Sequence, residues 1–365
     1  MQINQILQTL EQWAPLAYQE EYDNSGLLVG DREQECTGIL ISLDVTEDVL
    51  QEAIHKKVNL IVAHHPLIFR GLKQITGSQA TDRILIAAIK HDIAIYAIHT
   101  NLDNIFEGVN KAIAEKIGLE QLSILQPKSG LLRKLSTFVP PTHKEAVLNA
   151  LFGAGAGQVG NYSECSFIMS GTGTFLPNEG TTPFSGVIGK RSKDPEEKIE
   201  VIFLKADEKN ILRALFNSHP YEEVAYDIVS LSNDYQKVGS GMIGSLPYPM
   251  EETAFLRHLQ INFGTGVIRH SPLLGKKIQK VAICGGAGVF LTSKAIAERA
   301  DIFVTADVKY HDFFEAKEQL VLADIGHWES EQFTIDLIYA FLTEKFPTFA
   351  LLKTEVKTNP VGYFI

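Results

Sequence analysis

Short, largely apolar runs recur along this chain, most followed by a stretch with helical periodicity, and this alternation restricts the fold more than any other feature. The strands read within "GILISLDVT", "LIVA" at 60–63, "IAIYAIHT", "KKIQKVAICGGAG", "DIFVTADV" and "LVLADIGHW" each have an apolar centre with little polar alternation. A strand without alternation is covered on both faces. Between the runs lie "EDVLQEAIHKKV", "ATDRILIAAIKHD", "EGVNKAIAEKIGL" and "VFLTSKAIAERA", which read as helices. Thr46 is placed to cap the first of these and Gly118 to stop the third. Strands alternating with helices predict βαβ units around a largely parallel sheet, an α/β fold.

With 365 residues the chain is long for one core. The pattern changes near residue 128. From there to about 238 the order is strand, helix, Gly/Thr/Ser-rich stretch, strand, helix, strand, a small α+β unit in its own right. Phe167, Phe175 and Phe184 punctuate the glycine-rich part and predict hairpins rather than disorder. The first pattern then returns. Further helices are expected over "YHDFFEAKEQ" and, as one long element, over "SEQFTIDLIYAFLTEKF". The expected organisation is an αβ half at 1–127, an insert at 128–238 and a second αβ half at 239–365.

The formal net charge of -11 disfavours nucleic acid or an anionic membrane as partner. The three cysteines, Cys36, Cys165 and Cys284, form no CxxC pair, which fits a reducing compartment. The N-terminus lacks a basic n-region, and no apolar run approaches the ~20 residues of a bilayer span. The expected location is the cytoplasm.

The chemistry collects where strands end. "LIVA" delivers His64 and His65, and Pro66 follows at once. "IAIYAIHTNLD" runs out into Asp103. "LVLADIGHWESE" exits into His327, with Glu331 one helical turn later on the same face. In open parallel sheets ligands bind beyond the carboxyl ends of strands. Each of these side chains alone has a plainer account: a hydrogen-bonded imidazole, a turn aspartate, a surface pair. Their shared position favours a metal site, and adjacent imidazoles at a strand exit can serve two neighbouring ions. The expected centre is dinuclear, with His64, His65, Asp103, His327 and Glu331 as ligands. Imidazole and carboxylate without thiolate suit Zn, Fe, Mn, Co or Ni. Five side chains leave coordination positions for water or substrate. The positive remainder suits a hydroxide and an anionic substrate, and an ion pair about 3.5–4 Å apart activates water.

Other motifs have two readings each. "CGGAG" at 284–288 either presents backbone N–H groups to a phosphate or makes a tight βα turn. "DVKYHD" either brings His311 to the pocket as a proton carrier or begins a solvated helix; His99 is a second candidate carrier, from position alone. "YDNSG" at 22–26 is a functional loop or an Asx turn. "HPYEE" at 219–223 reads as a charged turn.

"YDNSGLLVG", "SLDVTEDVLQEA", "AHHPLIF", "IHTNLD", "GGAG", "TADVKYHD" and "GHWESE" together resemble, in order, the NIF-three-like proteins, many of which carry the name GTP cyclohydrolase 1 type 2 homolog. The resemblance covers residues 1–127 and about 240–365. The segment between resembles the PII-like, ferredoxin-like insert of longer bacterial members, with "HPYEEVAYDI" its marker. The resemblance implies a dinuclear site on the same five residues, a toroidal homohexamer, and hydrolytic opening of the guanine imidazole ring of GTP. Three functions follow as expectations. The first is a metal-dependent hydrolase acting through a metal-bound hydroxide on a nucleotide or related anionic cyclic C–N substrate. The second is a non-enzymatic, metal-stabilised ring whose insert binds a small molecule or protein. The third is a nucleotide-binding oxidoreductase built on "CGGAG", which lacks a convincing acidic ribose partner.

Overall fold

The computed structural model describes residues 1–364. The chain divides into two compact units, residues 1–127 with 237–365, and residues 128–236.

In the first unit, a five-stranded sheet has the order Gly26–Val29, Ala94–Ala97, Leu60–Ala63, Ile39–Ser42, Leu351–Lys353. Only the Gly26–Val29 edge is antiparallel. The inner three strands are the apolar runs, with Ser42 their one hydroxyl besides Tyr96, and every residue in them is buried. Helices Glu47–Lys56 and Ala80–Lys90 set Val49, Leu50, Ala53, Ile84 and Ala88 against Leu40, Ile61 and Ile95. Each such aliphatic side chain removed from water stabilises the fold by roughly 1.5–3 kcal/mol. The Thr46 hydroxyl accepts the Val49 N–H at 3.2 Å, and Gly118 ends helix Val109–Ile117 in the left-handed conformation.

A second sheet of six strands has three parallel central members, Lys277–Ile283, Ile302–Thr305 and Val321–Asp324. Its far side is formed by Asp234–Glu251 and Glu120–Ser129, long strands that the apolar-run criterion does not find. Glycine explains one of them. A Cβ on Gly239 would lie 2.2 Å from the Gln126 carbonyl oxygen, so only glycine permits this backbone approach.

The second unit has strand–helix–strand–strand–helix–strand order, with Ser166–Phe175, Ser192–Leu204, Leu132–Val139 and Tyr226–Ser230 adjacent in that sequence and all antiparallel. This is the ferredoxin-like arrangement. Leu135, Val139, Ile199, Val201 and Phe203 alternate along their strands and meet Leu151, Ile211 and Leu215 of the two helices. Strands Ser166–Phe175 and Ser192–Leu204 pair in register as a hairpin spanning the glycine-rich stretch.

Two expected helices differ. "YHDFFEA" forms a 3-10 helix, Tyr310–Ala316, closed by left-handed Lys317 and Glu318. The long helix over 330–346 is two, His327–Glu331 and Thr334–Lys345. No helix among the described residues is long and apolar enough to cross a membrane.

Candidate metal centre

Within the first unit, the carboxyl ends of strands from both sheets bring their side chains to one place. The backbone N–H groups of His64 and His65 donate to the Ser42 and Leu43 carbonyls, so the ladder continues past the strand and fixes both residues. Pro66 then removes the next donor.

Each imidazole is oriented through Nδ1. His64 Nδ1 meets the Ile98 carbonyl oxygen at 2.9 Å and His65 Nδ1 meets Asp44 Oδ1 at 2.8 Å. His99 Nδ1 meets Asp23 Oδ1 at 2.7 Å, and His327 Nδ1 meets Asp307 Oδ2 at 2.7 Å. A carbonyl or carboxylate only accepts, so Nδ1 carries the hydrogen in all four. Such outer contacts fix the tautomer of metal-binding histidines and leave Nε2 to face the ion.

Glu331, buried, joins two donor groups. Its Oε1 lies 4.0 Å from His64 Nε2, which is 3.6 Å from Asp103 Oδ1. Its Oε2 lies 2.9 Å from His65 Nε2 and 3.0 Å from His327 Nε2, and those two nitrogens are 3.4 Å apart. Donors about 2.1 Å from one tetrahedral ion stand roughly 3.4 Å from each other. The set therefore fits a metal ion. His64 Nε2 and Asp103 Oδ1 are also buried without any hydrogen-bond partner. Two bare lone pairs facing each other in the interior are costly unless a cation lies between them.

Without an ion, protons take the cation's part. Burial opposes charge on His65, but Asp44 and Glu331 outweigh it and raise its pKa to about 10. Burial likewise opposes charge on His327, and Glu331 with Asp307 raises it to about 9. Those two imidazolium groups overcome burial and hold Glu331 well below the usual carboxylate range. Burial and the Glu331 charge push Asp103 well above it. Burial drives His64 down to about 3, so it stays neutral. Burial pushes the Cys284 thiol up, away from the thiolate a metal would need.

All five expected ligands thus converge. His99 joins them, with a ring nitrogen within 4.8 Å of the donor atoms of His64 and His65. His311 does not. It is exposed on the Tyr310–Ala316 helix against Tyr310 and Phe314, and is not among the lining residues of the cavity. Left-handed Asp307 and the tight 3-10 helix carry it elsewhere. Three aspartates complete the site without having been singled out: Asp44, Asp307 and Asp23. Asp44 and Asp307 each follow the carboxyl end of a parallel strand, so the rule that locates the histidines also locates them. Asp23 belongs to "YDNSG". Burial alone would raise its pKa, yet contacts from His99 and Thr100 hold it well below the usual range.

The glycine turn is a packing device. The N–H groups of Gly285, Gly286 and Gly288 donate to Asn110 Oδ1, Ser330 Oγ and Thr305 Oγ1, so none of these three is left for a phosphate. Gly286 has φ +59°, and a Cβ there would sit 2.3 Å from Glu331 Oε1. Above the donors opens a cavity of about 410 Å³.

"HPYEE" is not simply a charged turn. His219 is buried in the second unit, with Nε2 2.9 Å from the Phe138 carbonyl oxygen, and accepts the Tyr221 N–H at Nδ1.

The sequence profile of the Duf34/NIF3 (NGG1p interacting factor 3) family matches residues 1–360. The chain is 42% identical over 324 residues to a Halalkalibacterium halodurans protein named GTP cyclohydrolase 1 type 2 homolog, covering 88% of this chain and 87% of that protein. A Bacillus subtilis protein of the same name is 39% identical over 365 residues, 98% of each. Among solved structures, a Bacillus cereus protein related to NIF3 superposes with a TM-score of 0.87 at 36% identity, covering 100% of this chain and 99% of that one.

Proposed function

The chain belongs to the Duf34/NIF3 family, and from that premise we propose that it is a hydrolase that works with two divalent ions, drawn from Zn, Fe, Mn, Co and Ni. In this reading His64, Asp103 and Glu331 would hold one ion, and His65, His327 and Glu331 would hold the other. The observation that carries the reading is the pair of partnerless buried atoms, His64 Nε2 and Asp103 Oδ1, on one side of a carboxylate whose other oxygen meets two imidazoles. Paired divalent ions supply an activated water at neutral pH and stabilise developing negative charge. The substrate in this reading is a nucleotide or related molecule with a cyclic C–N bond, as the relatives' name suggests. His99, held by Asp23, carries the proton between water and leaving nitrogen. Assembly as a homohexamer belongs to the same reading and rests on family resemblance.

Elemental analysis joined to a turnover screen of nucleotides tests it. His65→Ala and Glu331→Ala should lose metal and hydrolysis together. Hydrolysis that persists after metal is stripped would remove the mechanism.

One observation favours a second reading, a metal-stabilised regulator. The second unit has its own cavity of about 670 Å³, bordered by Phe184, Tyr221 and Glu222. A tight small-molecule ligand there, with no turnover of any nucleotide, would decide for the regulator.

A further inference from the structure

The walls of the metal-centre cavity are unlike those of an anion site. No lysine or arginine is among its lining residues, whereas Glu20, Asp44, Asp103 and Glu331 are. In the glycine turn, the N–H groups of Gly285, Gly286 and Gly288 are already engaged. Aromatic rings stand where cations would be expected: Tyr22, Phe69 and Phe290 line the cavity and are 63%, 46% and 60% exposed. One exposed ring needs no explanation, but three around one opening do.

Two of them form a continuous wall that reaches the donors. The Tyr22 and Phe69 centroids are 6.3 Å apart at 33°. Phe69 meets the edge of His99 at 6.2 Å and 72°, and His99 packs against His64 and His65. The two loops are tied together, because Asn24 Nδ2 donates to the Ile68 carbonyl oxygen at 2.6 Å. The "YDNSG" segment therefore fixes the wall through Asn24 and orients His99 through Asp23.

We propose that Tyr22, Phe69 and Phe290 form a seat for a planar aromatic ring, so that this site selects ligands by a flat aryl or heteroaryl group while another group of the same molecule reaches the metal donors. In this cavity the ring supplies the selectivity and a phosphate does not. The inference rests on the metal-centre reading above and deepens it by naming the substrate class.

Two hydroxamates separate the two ideas. Acetohydroxamate offers only a metal-binding head, and benzohydroxamate offers the same head with a ring. Calorimetry on the zinc-loaded full chain should give benzohydroxamate roughly tenfold tighter binding, the effect of one well-stacked ring. Tyr22→Ala and Phe69→Ala should each remove most of that preference and leave acetohydroxamate within about threefold of its original affinity. Tyr22→Phe should retain the preference. Both alanine changes are at exposed side chains, so folding is not at stake. Equal affinity of the two hydroxamates, or a preference that survives both alanine variants, overturns the aromatic seat and leaves the metal reading standing. If neither hydroxamate binds, the metal reading falls and takes the seat with it.

Discussion

Replacing Asp44 by alanine should weaken one metal site and largely spare the other. Asp44 is not a ligand in this account. It holds His65 Nδ1 at 2.8 Å and is itself held by the Thr358 hydroxyl at 2.6 Å. Losing the outer partner of a metal-bound histidine lowers affinity about 10- to 100-fold, or roughly 1.4–2.7 kcal/mol. The Asp44 side chain is 33% exposed, so water can partly replace it as acceptor. That places the expected loss near the lower end, about 10- to 30-fold. The other ion should be much less affected, because His64 is anchored by the Ile98 carbonyl rather than by Asp44. Competition against a chelator, with two stepwise constants resolved, reads this directly. Thr358→Val, which leaves the Asp44–His65 contact in place, should cost less than about threefold. Equal weakening of both ions, or no measurable change in either, would refute the outer-partner reasoning.

Three other outcomes follow from the same geometry. Gly286→Ala should lose metal and destabilise the fold by about 1–2 kcal/mol, since it forces a side chain into a left-handed position and against Glu331 Oε1; dialysis followed by elemental analysis, with a thermal melt, checks both. Metal uptake near neutral pH should release protons from His65 and His327, whose pKa values lie at about 10 and 9 without the ion, so apparent affinity should fall as pH falls. Calorimetry in two buffers of different ionisation enthalpy counts those protons, and an enthalpy independent of buffer would contradict the assignment. Burial lowers the pKa of His219 below its ordinary 6.5, so the folded second unit binds fewer protons than the unfolded chain just below that pH. Its contribution is complete above pH 6.5 and is lost as pH falls, by at most about 1.4 kcal/mol per pH unit; hydrogen exchange over residues 128–236 should show the slope, and His219→Gln should abolish it.

What the sequence reveals is what strand burial controls. Runs covered on both faces are mostly apolar, so inner strands such as Leu60–Ala63 and Ile302–Thr305 stand out, and the residues that follow them mark the site. His64, His65, Asp103, His327 and Glu331 are legible for that reason. The outer aspartates are harder to read. Asp44 and Asp307 lie two residues past their strands, within reach of the same rule, but the chain has 44 acidic residues and their partners are 21 and 20 residues away. Asp23 precedes its strand and pairs with His99 across 76 residues, so no local pattern reveals it. Strands Glu120–Ser129 and Asp234–Glu251 escape detection because glycines and prolines interrupt them, and the close approach at Gly239 that requires glycine is a tertiary fact. The break after Glu331 is tertiary too: the helical pattern runs on, but the carboxylate sits among His65, His327 and the Gly286 turn, and the helix ends there.

The most direct measurement is anomalous diffraction from crystals of the metal-loaded protein, collected above and below the absorption edge of the ion. The account predicts two peaks per chain. One should lie among His64 Nε2, Asp103 and Glu331 Oε1, and the other among His65 Nε2, His327 Nε2 and Glu331 Oε2. A single peak whose coordination is fully supplied by protein, or peaks remote from Glu331, would contradict it.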